Sequence, residues 1–215
     1  MTRIALIHAL AHSVAPINEA LAREWPTARR MNLLDDSLSS DLASSGGGLD
    51  AVMNERFERL AQYALDCGSN AILFTCSAFG PCIEAVARRH PAVPILKPNE
   101  AMIAQAASLG CRIGLIASFA PTLETMPAEF PPDTELACEL VEDAMAALNA
   151  DDTARHDALV VAAAERLANQ GCAVIALAQF SMARARKLVS ESTGLPVLST
   201  VESAVIELRR RLSAA

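Results

Sequence analysis

The chemistry of this chain converges on Cys76. It follows an apolar run at 70–75 (NAILFT), which reads as a buried strand, and precedes 81–90, which reads as a helix opened by proline. A thiol at such a junction lies near helix N-terminal amides, which lower its pKa and favour thiolate. Thr75 and Ser77 flank it with hydroxyls. A second strand-to-helix junction follows 173–178 (AVIALA), where Gln179, Phe180 and Ser181 stand. Gln cannot hold or release a proton near neutral pH, but its amide orients a substrate through hydrogen bonds. His8 ends the first apolar run as a polar residue. Ser118 follows the run at 112–117 (RIGLIA), where hydroxyls and backbone amides suit a carboxylate. Each residue also has a plain structural reading: Cys76 as a small core thiol, Gln179 as a partner for backbone groups at a strand end.

Other chemistries find little support. His8 and His12 are four apart but flank a strand end, with no Cys or carboxylate beside them, so no metal site is expected. His90 and His156 read as solvent-exposed. Lys97, Asn99 and Glu100 follow the short strand 93–96, Glu100 suiting a helix start. The glycines at 46–48 lie far from any strand-to-helix turn, so they are poor material for a nucleotide cradle. No nucleophile elbow, Walker loop or HExxH motif occurs.

The elements that must position these residues follow from composition. Of 215 residues, 52% are hydrophobic, enough for a sizeable core. Aromatics make up 4% and the net charge is −7, which excludes stacking platforms and basic stripes for nucleic acid. No apolar stretch reaches the roughly 20 residues of a membrane span. The N-terminal MTRIALIHALAHS reads as a buried strand rather than a signal peptide. Six cysteines without a CxxC pair, in a chain that is neither short nor loop-rich, read as reduced thiols of a cytoplasmic protein, most of them small core residues.

Apolar runs alternate with helical stretches. Strands are expected at 3–8, 30–34, 70–75, 93–96, 112–117, 134–140, 173–178 and 196–198. Helices are expected at 15–25, 49–67, 81–90, 99–109, 121–130, 153–169, 182–192 and 201–212. Residues 35–48 (DDSLSSDLASSGGG) read as a mobile loop that partly covers the site. Unbroken apolar strands between helices mean α/β architecture, with parallel sheet covered by helices on both faces.

The chain also repeats itself. Gly68 and its following strand line up with Gly171 at an offset of 103, Val93-Pro94 with Leu195-Pro196 at 102, and Arg3-Ile4 with Arg112-Ile113 at 109. Glu100 and Glu202 also correspond. Two copies of one α/β unit imply two pseudo-symmetric lobes, at 1–97 plus 199–215 and at 98–198, with strand ends lining a cleft between them. Cys76 and Gln179 are then expected within about 10 Å of each other, the width of a small-ligand pocket.

On strand-Thr75-Cys76-Ser77, Pro94-Ile95-Leu96 leading to Glu100-Ala101, Arg112-Ile113-Gly114-Leu115 and Leu177-Ala178-Gln179, the chain resembles the aspartate/glutamate racemase superfamily. That group includes hydantoin racemases, maleate isomerases and arylmalonate decarboxylases. The resemblance covers nearly the whole chain. It implies an active site between two α/β lobes and cofactor-independent proton transfer beside a carboxylate or carbonyl. Racemases of the family use one Cys from each lobe. Cys76 matches the first, while Gln179 stands in the place of the second. Ser77 replaces the usual Asn or Thr, Phe180-Ser181 replaces Thr-His, and His8 replaces an Asn or Asp. The resemblance therefore implies an isomerase-like enzyme with Cys76 as its single thiol acid/base. His8, Thr75, Ser77, Ser118, Gln179, Phe180 and Ser181 would contact a small carboxylate substrate, with no cofactor and no metal. Cys76 as a covalent nucleophile, maleate-isomerase-like or hydrolytic, and a non-catalytic carboxylate binder remain as alternatives. Neither nucleic acid nor membrane is an expected partner, and a homo-oligomer is left open.

Overall fold

The computed structural model of the protein describes residues 2–45 and 48–213. The chain divides into two compact units, Met1–Pro98 with Ala204–Ala215, and Asn99–Ser203.

The first unit carries β1 (Arg3–His8), α1 (Val14–Glu24), β2 (Arg29–Leu34), α2 (Ser37–Ser45), α3 (Ala51–Asp66), β3 (Ala71–Phe74), α4 (Gly80–Arg89) and β4 (Ile95–Leu96). Its four strands are parallel, in the order β2-β1-β3-β4. The second carries α5 (Glu100–Ser108), β5 (Ile113–Ala117), α6 (Ala120–Thr125), β6 (Leu136–Leu140), α7 (Glu142–Asn149), α8 (Thr153–Asn169), β7 (Val174–Leu177), α9 (Arg186–Thr193) and β8 (Val197–Ser199). Its sheet is again parallel, in the order β6-β5-β7-β8. Helix α10 (Thr200–Ser213) begins in the second unit and belongs to the first from Ala204 on. The sheets thus share one strand order, as the internal repeat requires. The α/β class with two helix-flanked parallel sheets is as the sequence implied.

The central strands are apolar without interruption because both faces are covered. In the second unit Ile113, Leu115 and Ala117 of β5 pack in one cluster with Met102, Ile103, Met126 and Phe130. Ile116 faces the other way, into a cluster with Val160, Ala163, Leu167 and Val189. A period of two inside one apolar run is what a two-sided parallel sheet demands. Asp50 starts α3 by accepting from the Met53 amide at 2.7 Å, and Asp152 starts α8 by accepting from Arg155 at 3.0 Å. The equivalent Gly68 and Gly171 end those two helices in left-handed conformation, at φ 75° and 86°. Ser69 and Cys172 then donate to carbonyls five residues back, the geometry of a glycine-stopped helix end.

Several expectations need correction. Most of the stretch expected as a loop at 35–48 is helix: α2 occupies Ser37–Ser45, with Leu38 and Leu42 buried one turn apart. Two leucines at that spacing anchor a helix whose other positions are serine and alanine. Gly46 and Gly47 of the glycine run lie outside the described residues. Helix α7 was not anticipated. Its buried positions are Ala144, Ala147 and Leu148, so a single leucine beside two small alanines marks its inner face. The helix expected over 121–130 ends at Thr125 and continues as a 3-10 turn through Glu129, because Pro127 cannot sustain the α ladder. The helix expected from 182 likewise starts as a 3-10 turn, Phe180–Ala185. His156 is fully buried rather than exposed, with Nδ1 2.7 Å from Asp157 Oδ1. His90 is half-buried, with Nε2 2.6 Å from Glu58 Oε1. All six cysteines are free thiols, but only Cys82 and Cys172 are buried; Cys138 is exposed. Among the described residues no helix is long and apolar enough to cross a membrane.

Candidate functional site

The candidate residues collect at the C-terminal ends of the parallel strands. In the first unit His8 ends β1, and Thr75, Cys76 and Ser77 follow β3. His8 is buried, with Nδ1 2.9 Å from Thr75 Oγ1 and Nε2 3.0 Å from Asn32 Oδ1. An amide oxygen only accepts, so Nε2 carries the proton and Nδ1 accepts from the Thr75 hydroxyl. Asn18 completes the chain by donating Nδ2 to Asn32 Oδ1 at 2.8 Å. Burial lowers the His8 pKa, against the opposing hydrogen bond to Asn32, so the imidazole is neutral at pH 7. Both ring nitrogens are engaged.

Cys76 is half-buried, in extended conformation at the head of the 3-10 turn Ser77–Phe79. The Ala78 amide and the Ser39 hydroxyl of α2 lower its pKa. These favour thiolate, as expected of a strand-to-helix junction, but they do not prevail. Burial pushes the thiol up to about 11. The expectation of a lowered pKa is overturned by burial. Leu38 sits with Ile7, His8, Ala9, Phe57 and Phe74 around Cys76, leaving a crevice of about 170 Å³ too narrow for a water molecule. Phe57 braces this wall, with ring centroids 5.2 Å from Phe74 and 4.9 Å from Phe79. Ser77 is buried at the start of the turn.

In the second unit Ser118 follows β5 and Gln179 follows β7. Both donors of Ser118, the amide at 2.5 Å and the hydroxyl at 3.1 Å, go to Gln179 Oε1. Ser118 therefore serves Gln179 first, and the pinned carbonyl fixes the direction of the Gln179 NH₂ group. Phe180 is fully buried and Ser181 nearly so. Ser181 Oγ and, beyond β8, Thr200 Oγ1 are buried with no hydrogen-bond partner among the described residues. Buried hydroxyls without partners are costly and mark places where a ligand or water completes the set.

Sequence reasoning missed Ser39, Asn32 and Thr200. The serine-rich run hid Ser39; only the Leu38–Leu42 spacing pointed to the helix that carries it. The roomier hollows of the second unit lie elsewhere. One, of about 770 Å³, is lined by Cys111, Arg112 and Glu135 at the opposite ends of the strands and touches none of these residues. Among the described residues no three His, Cys, Asp or Glu side chains group as a metal site needs.

The fold is shared with solved enzymes. Glutamate racemase from Francisella tularensis, in complex with D-glutamate, superposes with a TM-score of 0.74 at 13% identity, over 99% of this chain and 81% of that one. Allantoin racemase from Klebsiella pneumoniae gives 0.67 at 15%, over 100% and 89%. Unliganded arylmalonate decarboxylase gives 0.65 at 18%, over 98% and 92%. At these identities the likeness is one of fold. No curated protein matches the sequence. The sequence profile of Asp/Glu/hydantoin racemases, however, matches residues 14–208. The chain belongs to that family, an enzyme family of isomerases.

Proposed function

We propose that this protein carries out cofactor-independent proton transfer at the carbon beside a carboxylate or carbonyl of a small substrate, with Cys76 as its single thiol acid/base. The observation that carries this reading is the contrast between equivalent strand ends. After β3 stands an ionisable thiol at the head of a 3-10 turn; after β7 stands Gln179, which has no proton to trade near neutral pH. An α-proton beside a carboxylate is so weakly acidic that an enediolate must be stabilised by hydrogen-bond donors while one group moves the proton. The Gln179 NH₂ group and the Ser181 hydroxyl are donors of that kind, and Thr75, Ser77, Ser118, His8 and Phe180 shape the two strand-end sets.

With its pKa raised to about 11, Cys76 rests as a neutral thiol at pH 7. That state favours the direction in which sulfur gives its proton to a carbanion: the S–H bond breaks as the C–H bond forms. A thiol that serves one face of a substrate yields one-handed product. The test is incubation in deuterium oxide with a panel of amino acids, hydantoins and aryl malonates, following deuterium uptake against optical rotation. The expected result is deuterium incorporation with retention, or protonation of a decarboxylated product on one face. Cys76→Ser is expected to lower either rate at least about 100-fold, the usual scale of general acid–base catalysis. Fast loss of optical activity by the native enzyme overturns the single-thiol assignment. A covalent adduct on Cys76 found by mass spectrometry replaces it with nucleophilic catalysis.

A further inference from the structure

The Gln179 amide is held in one orientation. Register between β5 and β7 sets Ile116 beside Leu177, so Ser118 and Gln179, two residues further on, leave neighbouring strands side by side. Ser118 gives Gln179 Oε1 both of its donors, the main-chain amide at 2.5 Å and the hydroxyl at 3.1 Å. A main-chain N–H has no lone pair, so the atom it meets is the carbonyl oxygen. Turning the amide over would set N–H against N–H. Two donors also use both lone pairs of Oε1. Nothing among the described residues bonds to Nε2, and Gln179 keeps 9% of its surface exposed. The side chain therefore offers a ligand two N–H bonds and no acceptor. In the repeat the position equivalent to Ser118 is Ala9, at the same offset of 109, so the first unit has no hydroxyl there.

We propose that Ser118 is a positioning residue that makes Gln179 a one-way donor, so that the second unit's strand end takes a carboxylate or carbonyl oxygen of the substrate and rejects an ammonium group. The inference rests on the reading of Gln179 as a substrate contact and names what it selects. An oxygen acceptor satisfies the Gln179 NH₂ group. An ammonium in the same place sets donors against donors and leaves both unpaired, which is costly away from water. The hydroxyls of Ser181, in the 3-10 turn that Gln179 heads, and Thr200, next after β8, are buried without partners among the described residues and suit the same kind of ligand. No arginine or lysine bonds to Gln179, Ser181 or Thr200 among the described residues, so the selection works through hydrogen-bond direction.

The test measures binding of three probes by calorimetry: 3-phenylpropionate, benzylacetone and 3-phenylpropylamine. They carry a carboxylate, a carbonyl and an ammonium on the same arm. The native protein is expected to bind the acid at least about tenfold more tightly than the amine, and the ketone shows whether an uncharged oxygen suffices. Gln179→Glu keeps the shape and the Ser118 bonds but turns a carboxylate oxygen toward the ligand, so the preference is expected to reverse. Ser118→Ala frees the amide to turn and is expected to narrow the native preference about fivefold. In the Gln179→Glu background the same change is expected to alter the preference less than about twofold, because a carboxylate is alike either way round. A merely structural role would act equally in both backgrounds, and that result overturns the proposal. So does a native protein that binds the amine as tightly as the acid, or binds none of the three. Where Gln179→Glu fails to fold by circular dichroism, Ser118→Ala alone decides, and an unchanged preference overturns the proposal. Binding needs no proton transfer, so its outcome is separate from the deuterium experiment that tests Cys76 as acid/base.

Discussion

His8 shows how a residue of reactive type is withdrawn from reaction. Its nitrogens are spent on Thr75 and Asn32, and burial keeps it neutral. This has a signed consequence for stability. The unfolded chain binds a proton at this histidine once pH falls below about 6.5, while the folded chain resists until lower pH. Stability contributed by His8 is therefore present above pH 6.5 and is lost as pH falls toward the depressed folded value. His8→Asn is expected to flatten the drop in urea midpoint between pH 7 and pH 5, at a cost of about 1–3 kcal/mol at pH 7 from the disturbed network. An unchanged pH slope would show that the imidazole is not held neutral by the fold. Burial acts at Cys76 as well, where it raises the thiol against the lowering effect of the adjoining Ala78 amide.

At the scale of elements, legibility followed side-chain size. Strands β1, β3, β5 and β7 were plain in the sequence because two-sided burial forces unbroken runs of Ile, Leu, Val and Ala. Helix α2 was hidden because serines dominate it, and α7 because alanines bury without contrast. Where helices meet the sheet, the fit is close. A Cβ on Gly114 of β5 would lie 3.0 Å from Leu167 Cδ1 and Ile175 Cδ1 and 3.1 Å from Leu167 Cβ. The two methyl ends can swing aside, but Leu167 Cβ moves only with α8. Gly114→Ala is expected to cost about 1–3 kcal/mol, an overpacking penalty, and to lower the melting temperature by several degrees. A melting temperature at or above the native value would mean that α8 yields freely.

At the scale of the whole molecule the helices after β4 and β8 are traded. Helix α5 packs on β7 and β8, whereas α10 from Ala204 on belongs with the first unit. Val205 and Leu208 are buried there, and Arg209 donates to the Glu24 carbonyl at 3.1 Å with its guanidinium 6.0 Å from the Trp25 ring. Trp25 is the sole tryptophan, so its fluorescence reports on this corner. Leu208→Ala is expected to destabilise that transition by about 2–5 kcal/mol, as loss of a buried leucine usually does. An unmoved fluorescence midpoint would show that α10 is dispensable to the first unit. The trade also orders events on the ribosome. Residues 1–98 emerge first, yet their closing helix is translated only after the whole of 99–203. At roughly 5–20 residues per second that interval is several seconds or more. The unit begun first is completed last: its four strands are all made before residue 99, but Ala204 and the rest of its closing helix follow only after the second unit.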